Sequence, residues 1–167
     1  VQPKLVGKGQ IAYLARYQVD KPPAVIIRND DGSSRSLSML NGIEQKTSDA
    51  IWKKFVPTEV KYLDAEDGIT SAHIFIEPQT PPPANGYPVI IQVRGGPAWR
   101  VYPGMGRFFL GQYLASRGYL FVSINYRGGL GLGLDYRTPE KAGINGGSEL
   151  LDLAAVVEHL KSRKDVN

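Results

Sequence analysis

Apolar residues recur at strand spacing through the first ninety positions and at helix spacing only later. QIAYLARYQ (10–18), AVIIRN (24–29) and SRSLSML (34–40) are separated by Asp20-Lys21-Pro22-Pro23 and by Asn29-Asp30-Asp31-Gly32. Short strands divided by Pro and Asp-Gly turns predict an antiparallel meander, such as one propeller blade, which cannot bury its own faces. Residues 41–55 are more polar, and Ser48, Asp49, Ile51, Trp52 and Phe55 suggest a short capped turn of helix. Thr58–Leu63 and Ser71–Ile76 predict a hairpin turning at Ala65-Glu66-Asp67-Gly68. From Glu77 to Pro88, five prolines and Asn85-Gly86 demand a surface loop.

VIIQVRGGP (89–97) then reads as a buried strand ending in a sharp turn. A strand apolar on both faces favours a parallel sheet flanked by helices, where ligands bind at the carboxyl ends of strands. A helix follows over 106–117, burying Phe109 or Leu110, Tyr113 and Leu114 and ending at Gly118, a residue suited to a left-handed cap. YLFVSINY (119–126) is a second apolar strand, and 127–135 is a loop with four glycines. In a final helix over 148–162, Leu150, Leu153, Ala154, Val157 and Leu160 form one predicted buried stripe, with Glu149 and Asp152 complementing the dipole of its first turn. The expected fold class is α/β, with antiparallel strands in front.

Two glycine-rich loops after strands raise phosphate binding first. Neither closes with Gly-Lys-Ser or Gly-Lys-Thr, and Gly129-Leu130-Gly131-Leu132-Gly133 lacks the dinucleotide spacing. Gly95-Gly96 suits a bare backbone N–H aimed at a developing oxyanion, but on spacing alone a simple tight turn fits equally. Arg100 and Arg127 suit either a substrate carboxylate or salt bridges that hold loops. Ser148 opens a helix with no strand before it, so it reads as an N-cap rather than a nucleophile. His73 and His159 sit in a strand and near a helix end, as structural histidines do.

Composition narrows the field further. The chain of 167 residues is long enough for one ordinary domain with a real core and too short for two large ones. It contains no cysteine, which excludes disulfides and thiolate catalysis and points towards the cytoplasm. With two histidines and no cysteine no metal cluster is expected, and with neither glycine-rich loop at phosphate-binding spacing no nucleotide cofactor is expected. The net charge of +4 arises from bases interleaved with acids, as on a solvated face, so no nucleic acid partner is expected. No apolar run approaches the ~20 residues of a membrane span. The chain starts at Val1 without an initiator Met, which predicts a piece of a longer protein.

PVIIQVRGGPAWR, LASRGYLFVSINYRGGLGLGLDY and the Gly146-Gly147-Ser148-Glu149 and Asp152 spacing resemble the catalytic domain of the prolyl oligopeptidase family of serine peptidases, in particular its acylaminoacyl peptidase and dipeptidyl peptidase branches. Residues 11–41 resemble that family's closing propeller blade, and 57–78 the start of its hydrolase sheet. The resemblance implies a propeller blade over 1–45, a linker over 46–57 and an incomplete α/β-hydrolase domain over 58–167. It also implies that Gly95 and Gly96 lie on the oxyanion loop, with Gly95 as the expected donor, and that Asn125 to Gly128 form the turn after the fourth hydrolase strand. At Arg94 the family has His or Tyr, so the guanidinium either donates to the oxyanion or points elsewhere.

No GxSxG pentapeptide occurs in the chain, and neither histidine matches the catalytic one. The Ser-Asp-His triad is therefore expected from outside these residues. The implied activity is that of a parent serine peptidase acting on short peptides or acyl-peptides, with a non-catalytic interaction module or an esterase as alternatives. The strand 89–93 would present an apolar edge, so the remainder of the protein or a second chain is expected to cover it.

Overall fold

The computed structural model describes residues 4–15, 24–38, 50, 53–95, 99–101, 105–139 and 147–167. It divides into two compact units, Val1–Pro57 with Pro103–Phe109, and Thr58–Tyr102 with Leu110–Asn167. The suggested turn of helix within 41–55 lies almost wholly outside the described residues.

The first unit carries an antiparallel sheet of β1 (Lys4–Gly7), β2 (Gln10–Ala15), β3 (Ala24–Asn29) and β4 (Ser34–Ser38), ordered as in the chain. Strand β1 was not anticipated from its pattern, having only Leu5 and Val6 as apolar residues; it is recruited by pairing Lys4 with Ala12 and Gly7 with Gln10. The β3–β4 turn closes through Asn29, whose carbonyl accepts from Gly32 N–H at 3.0 Å and whose N–H donates to the Ser33 carbonyl at 2.9 Å.

The second unit carries β5 (Thr58–Asp64), β6 (Thr70–Ile76), β7 (Val89–Gln92) and β8 (Leu120–Ser123) in the order β5-β6-β8-β7. Strands β5, β6 and β8 pair antiparallel in turn, and β7 runs parallel to β8 with Val89 opposite Leu120. The connection from β7 to β8 is α1 (Met105–Ser116), the crossover a parallel pair requires. A four-residue helix, α2 (Leu134–Arg137), closes the glycine-rich loop, and α3 (Glu149–Ser162) follows. None of the described helices is long and apolar enough to cross a membrane.

Alternation along the strands sorts the core into two faces. Phe75, Leu120, Val122 and Ile124 pack with Val156 and Leu160 of α3 and with Tyr87. On the other face, Ile76 and Phe121 meet α1 at Gly111, where an added Cβ would lie 2.6 Å from Phe121 and 2.7 Å from Ile76.

Both helices are rotated from the expectation. The buried face of α1 is Gly111, Gln112 and Ala115, whereas Phe109, Leu110 and Tyr113 are about half exposed. The close approach at Gly111 selects the small face, and the bulky residues flank it. Gly118 does form the left-handed cap, with φ +85° and its N–H on the Ala115 carbonyl at 3.0 Å. The buried stripe of α3 is Asp152, Val156 and Leu160; Leu150 is exposed, as is Ala154, and Leu153 and Val157 are half-buried. An ion pair at Asp152 turns the helix to this face. Ser148 makes no side-chain cap to α3, correcting the N-cap reading, because its own backbone is already helical.

Strand β7 lies at one edge of the described sheet, half-buried rather than fully covered. Beyond α3 the chain turns alongside it: Val166 forms a parallel bridge with Tyr87, Tyr87 N–H donates to the Asp165 carbonyl at 2.8 Å, and Asn167 N–H donates to the Tyr87 carbonyl at 3.0 Å. The carbonyls of Pro88 and Gln92 point to the β8 side, accepting from Leu120 and Ile124, so the bridge occupies the opposite edge. Gly86 permits it, since a Cβ there would stand 2.6 Å from the Val166 backbone.

Candidate functional site

The carboxyl ends of β7 and β8 converge on two loops, 93–101 and 124–133. Past β7 the chain emerges at exposed Val93, buries Arg94 and re-emerges at Gly95, where the space a Cβ would fill is open. A substrate oxygen therefore has steric access to the Gly95 backbone. Gly96, the other predicted oxyanion residue, lies outside the described residues.

The second loop holds the first at both ends. Asn125, buried at the end of the β8 segment, accepts from Val101 N–H at 2.6 Å through Oδ1; its Nδ2 donates to the carbonyls of Ala72 at 2.9 Å and Val101 at 3.1 Å. Tyr126 donates its hydroxyl to the Arg94 carbonyl at 2.9 Å, and the Arg94 guanidinium lies over the Tyr126 ring at 4.5 Å from its centroid. A Cβ at Gly129 would stand 2.6 Å from Arg94 Nη2 and 2.8 Å from the Trp99 carbonyl. Arg100 is half-buried against Gly131, whose φ of +103° suits only glycine. Tyr136, on α2, donates to the Asn125 carbonyl at 2.9 Å; burial and then the charge of Asp152 raise its phenol well above the usual range, although Arg94, Arg127 and Arg100 oppose the shift.

Arg127 is 2% exposed and enclosed by two carboxylates. Its Nε lies 3.1 and 3.2 Å from the Asp152 oxygens, Nη2 reaches Asp152 at 2.8 Å and Asp67 at 3.0 Å, Nη1 bonds the other Asp67 oxygen, and the backbone N–H donates to Asp152 at 2.6 Å. Hydrogen bonds donated to Asp67 first, then to Asp152, hold the guanidinium more firmly protonated than usual, and those accepted from Arg127 hold Asp67 below the ordinary carboxylate range. The guanidinium borders a cavity of about 580 Å³ that Asp67 and Asp135 also line, so an anionic substrate group entering it would meet two carboxylates. Arg127 thus ties the β5–β6 turn to α3 beneath the loop. An Asp within the buried stripe of α3 was the sequence signal for this cluster, just as Asn125 in an apolar strand was the signal for the loop anchor.

The histidines lie away from these loops. His73, fully buried on β6, has Nε2 2.7 Å from Ser71 Oγ, and burial, then the charge of His159, lowers its pKa to about 4. His159 on α3 packs edge-on against Phe75 at 5.7 Å, and its pKa is lowered chiefly by burial. Among the described residues no three His, Asp or Glu side chains gather into a metal site.

Residues 107–167 match the prolyl oligopeptidase family. The whole chain is similar in fold to several solved proteins. A puromycin hydrolase complexed with PGG matches at 21% identity and TM-score 0.74 over 97% of this chain. The puromycin-hydrolyzing peptidase of Mycobacterium tuberculosis matches at 20% identity and TM-score 0.72 over 95%. The Pyrococcus horikoshii acylaminoacyl peptidase matches at 22% identity and TM-score 0.72 over 96%. The chain spans 24% of the length of each of these proteins. The likeness in fold over nearly the whole chain and the family match over 107–167 point the same way: residues 107–167 are similar to the prolyl oligopeptidase family, on the fold that these solved proteins share.

Proposed function

We propose that this chain supplies the oxyanion loop and half of the catalytic sheet of a serine peptidase that cleaves short peptides or acyl-peptides. The observation that carries the reading is the open, exposed backbone at Gly95, three residues past β7 on a loop that Tyr126 holds at Arg94 and Asn125 holds at Val101. In acyl transfer, negative charge develops on the carbonyl oxygen as the nucleophile adds. A fixed backbone N–H at that point stabilises it, and loss of one such donor typically costs about 10²–10³ in kcat.

The nucleophile, the orienting acid and the base come from sequence outside these residues, the nucleophile with a strand that adds to the open edge of β7 and the other two further on. The parallel bridge from Val166 to Tyr87 supports this by starting a ladder on that edge. The same strand removes the edge hazard of β7, which a second chain would otherwise have to cover.

The test uses the whole protein that carries this chain. A fluorophosphonate probe should label it, and substitution of its GxSxG serine by Ala should abolish labelling. Turnover of acyl-peptides in preference to simple esters identifies a peptidase, and the reverse preference an esterase. Absence of labelling sinks the enzymatic reading in favour of an interaction module built on the same sheet.

A further inference from the structure

Three of the contacts that the 124–133 loop makes with the oxyanion loop gather at or beside Arg94, next to the proposed donor. One point is a hydroxyl on the Arg94 carbonyl, the peptide unit that carries the Gly95 N–H. Rotation of that peptide would swing the donor, so the 2.9 Å bond to Tyr126 sets the direction in which the Gly95 N–H points. The second is the ring of the same tyrosine under the Arg94 guanidinium, at 4.5 Å. The third is Gly129, whose missing side chain lets both the Arg94 guanidinium and the Trp99 carbonyl descend onto the loop.

We propose that Tyr126 and Gly129 are positioning residues for the oxyanion donor: Tyr126 grips Arg94 by its carbonyl and by its guanidinium, and Gly129 leaves the space in which the gripped loop settles. On this arrangement Arg94 is a handle for the loop and not a donor to the oxyanion. Its guanidinium is buried over an aromatic face, with Gly129 beneath it, while the Gly95 backbone stays exposed. The inference rests on the peptidase reading and deepens it.

Tyr126→Phe removes the hydroxyl but keeps the ring under Arg94, and Gly129→Ala forces the Trp99 carbonyl to move. A misplacement of about 1 Å near the chemistry costs on the order of a hundredfold. In the whole protein, kcat for an acyl-peptide should fall about tenfold in Tyr126→Phe and about a hundredfold in Gly129→Ala, with KM within about twofold of the parent. Affinity for a peptidyl trifluoromethyl ketone, whose serine adduct carries an oxyanion, should fall by the same factors. Affinity for the product peptide should not change, and Tyr62→Phe, on exposed β5, should match the parent throughout.

Unchanged kcat in folded Tyr126→Phe overturns the inference, as does equal weakening of ketone and product, which would mean general loosening. Because Tyr126→Phe deletes one oxygen atom, it carries the test even if Gly129→Ala does not fold. A parent that hydrolyses substrate while Tyr126→Phe behaves identically leaves the peptidase reading intact and removes only the positioning role. A parent inert to fluorophosphonate and to substrates removes both.

Discussion

Two four-stranded sheets occur among the described residues, both with apolar runs in their inner strands, yet they end with different burial. Strand β3 opens with four apolar residues in a row, AVII, and β8 with three, LFV. All four residues of β8 are fully buried, whereas among the described side chains of β1–β4 only Ile27 is buried, and Leu5 is 80% exposed. The difference is layering. Strands β6 and β8 are covered by α3 on one face and by the small side of α1 on the other. A sheet gains most of its stability from such a second layer, at roughly 25 cal/mol per Å² of apolar surface removed from water.

The contrast is broken most severely at the ion cluster. Asp152→Ala strands Arg127 in the core of the second unit with Asp67 at its rim, which should cost about 3–5 kcal/mol. Hydrogen exchange at the β8 amides should accelerate accordingly, with those of β3 unaffected.

Acid should act next, and on the same unit. The His73 pKa, about 4 when folded, lies below the ordinary 6.5, so the unfolded chain binds the additional proton first. The His73 contribution is complete above pH ~6.5 and is lost as the pH falls towards ~4, by up to about 3 kcal/mol. The charges facing the pair are Lys61, Arg163, Glu59 and Glu77, around His159, and the two bases oppose its protonation further. The urea midpoint measured from pH 7 to 4 should fall more steeply in the parent than in His73→Gln; equal slopes would remove His73 as the cause.

Smaller again is Gly111→Ala, which drives a methyl group to 2.6 Å from Phe121 and should cost about 1–3 kcal/mol by overpacking, although alanine favours the helix. Its thermal midpoint reads the loss; a rise would mean that α1 has room to retreat. Least affected is Leu5→Ala in the first sheet, expected within about 0.5 kcal/mol because that side chain already meets water. A loss above 2 kcal/mol there would show that a layer covers β1.

Strand existence was legible wherever local chemistry alone decides it. The turn residues Asn29–Gly32 and Ala65–Gly68 bracket strands that the structure contains, and the cap at Gly118 follows from its φ of +85°. Helix faces were not legible. Periodicity pointed to Leu150 and Tyr113 as inward, but the structure turns Asp152 and Gly111 inward. A hydrophobic-stripe count cannot register a buried charge that has a partner, nor a glycine chosen for closeness. The candidate site divides the same way, since Arg94, Gly95 and Arg127 stood out as residues while their neighbours did not.

By itself, then, the sequence marked the strands from β2 onward, the crossover from β7 to β8 and the glycine-rich loops at their carboxyl ends, because turns, caps and strand alternation are set by residues within a few positions of one another. Tertiary structure alone decided that Asp67 and Asp152 would share Arg127 across 60 and 25 positions, and that Asn125 and Tyr126 would grip the loop of Arg94 and Val101. Those pairings cost desolvation that only exact partners repay, and the partners meet only once the sheet has assembled.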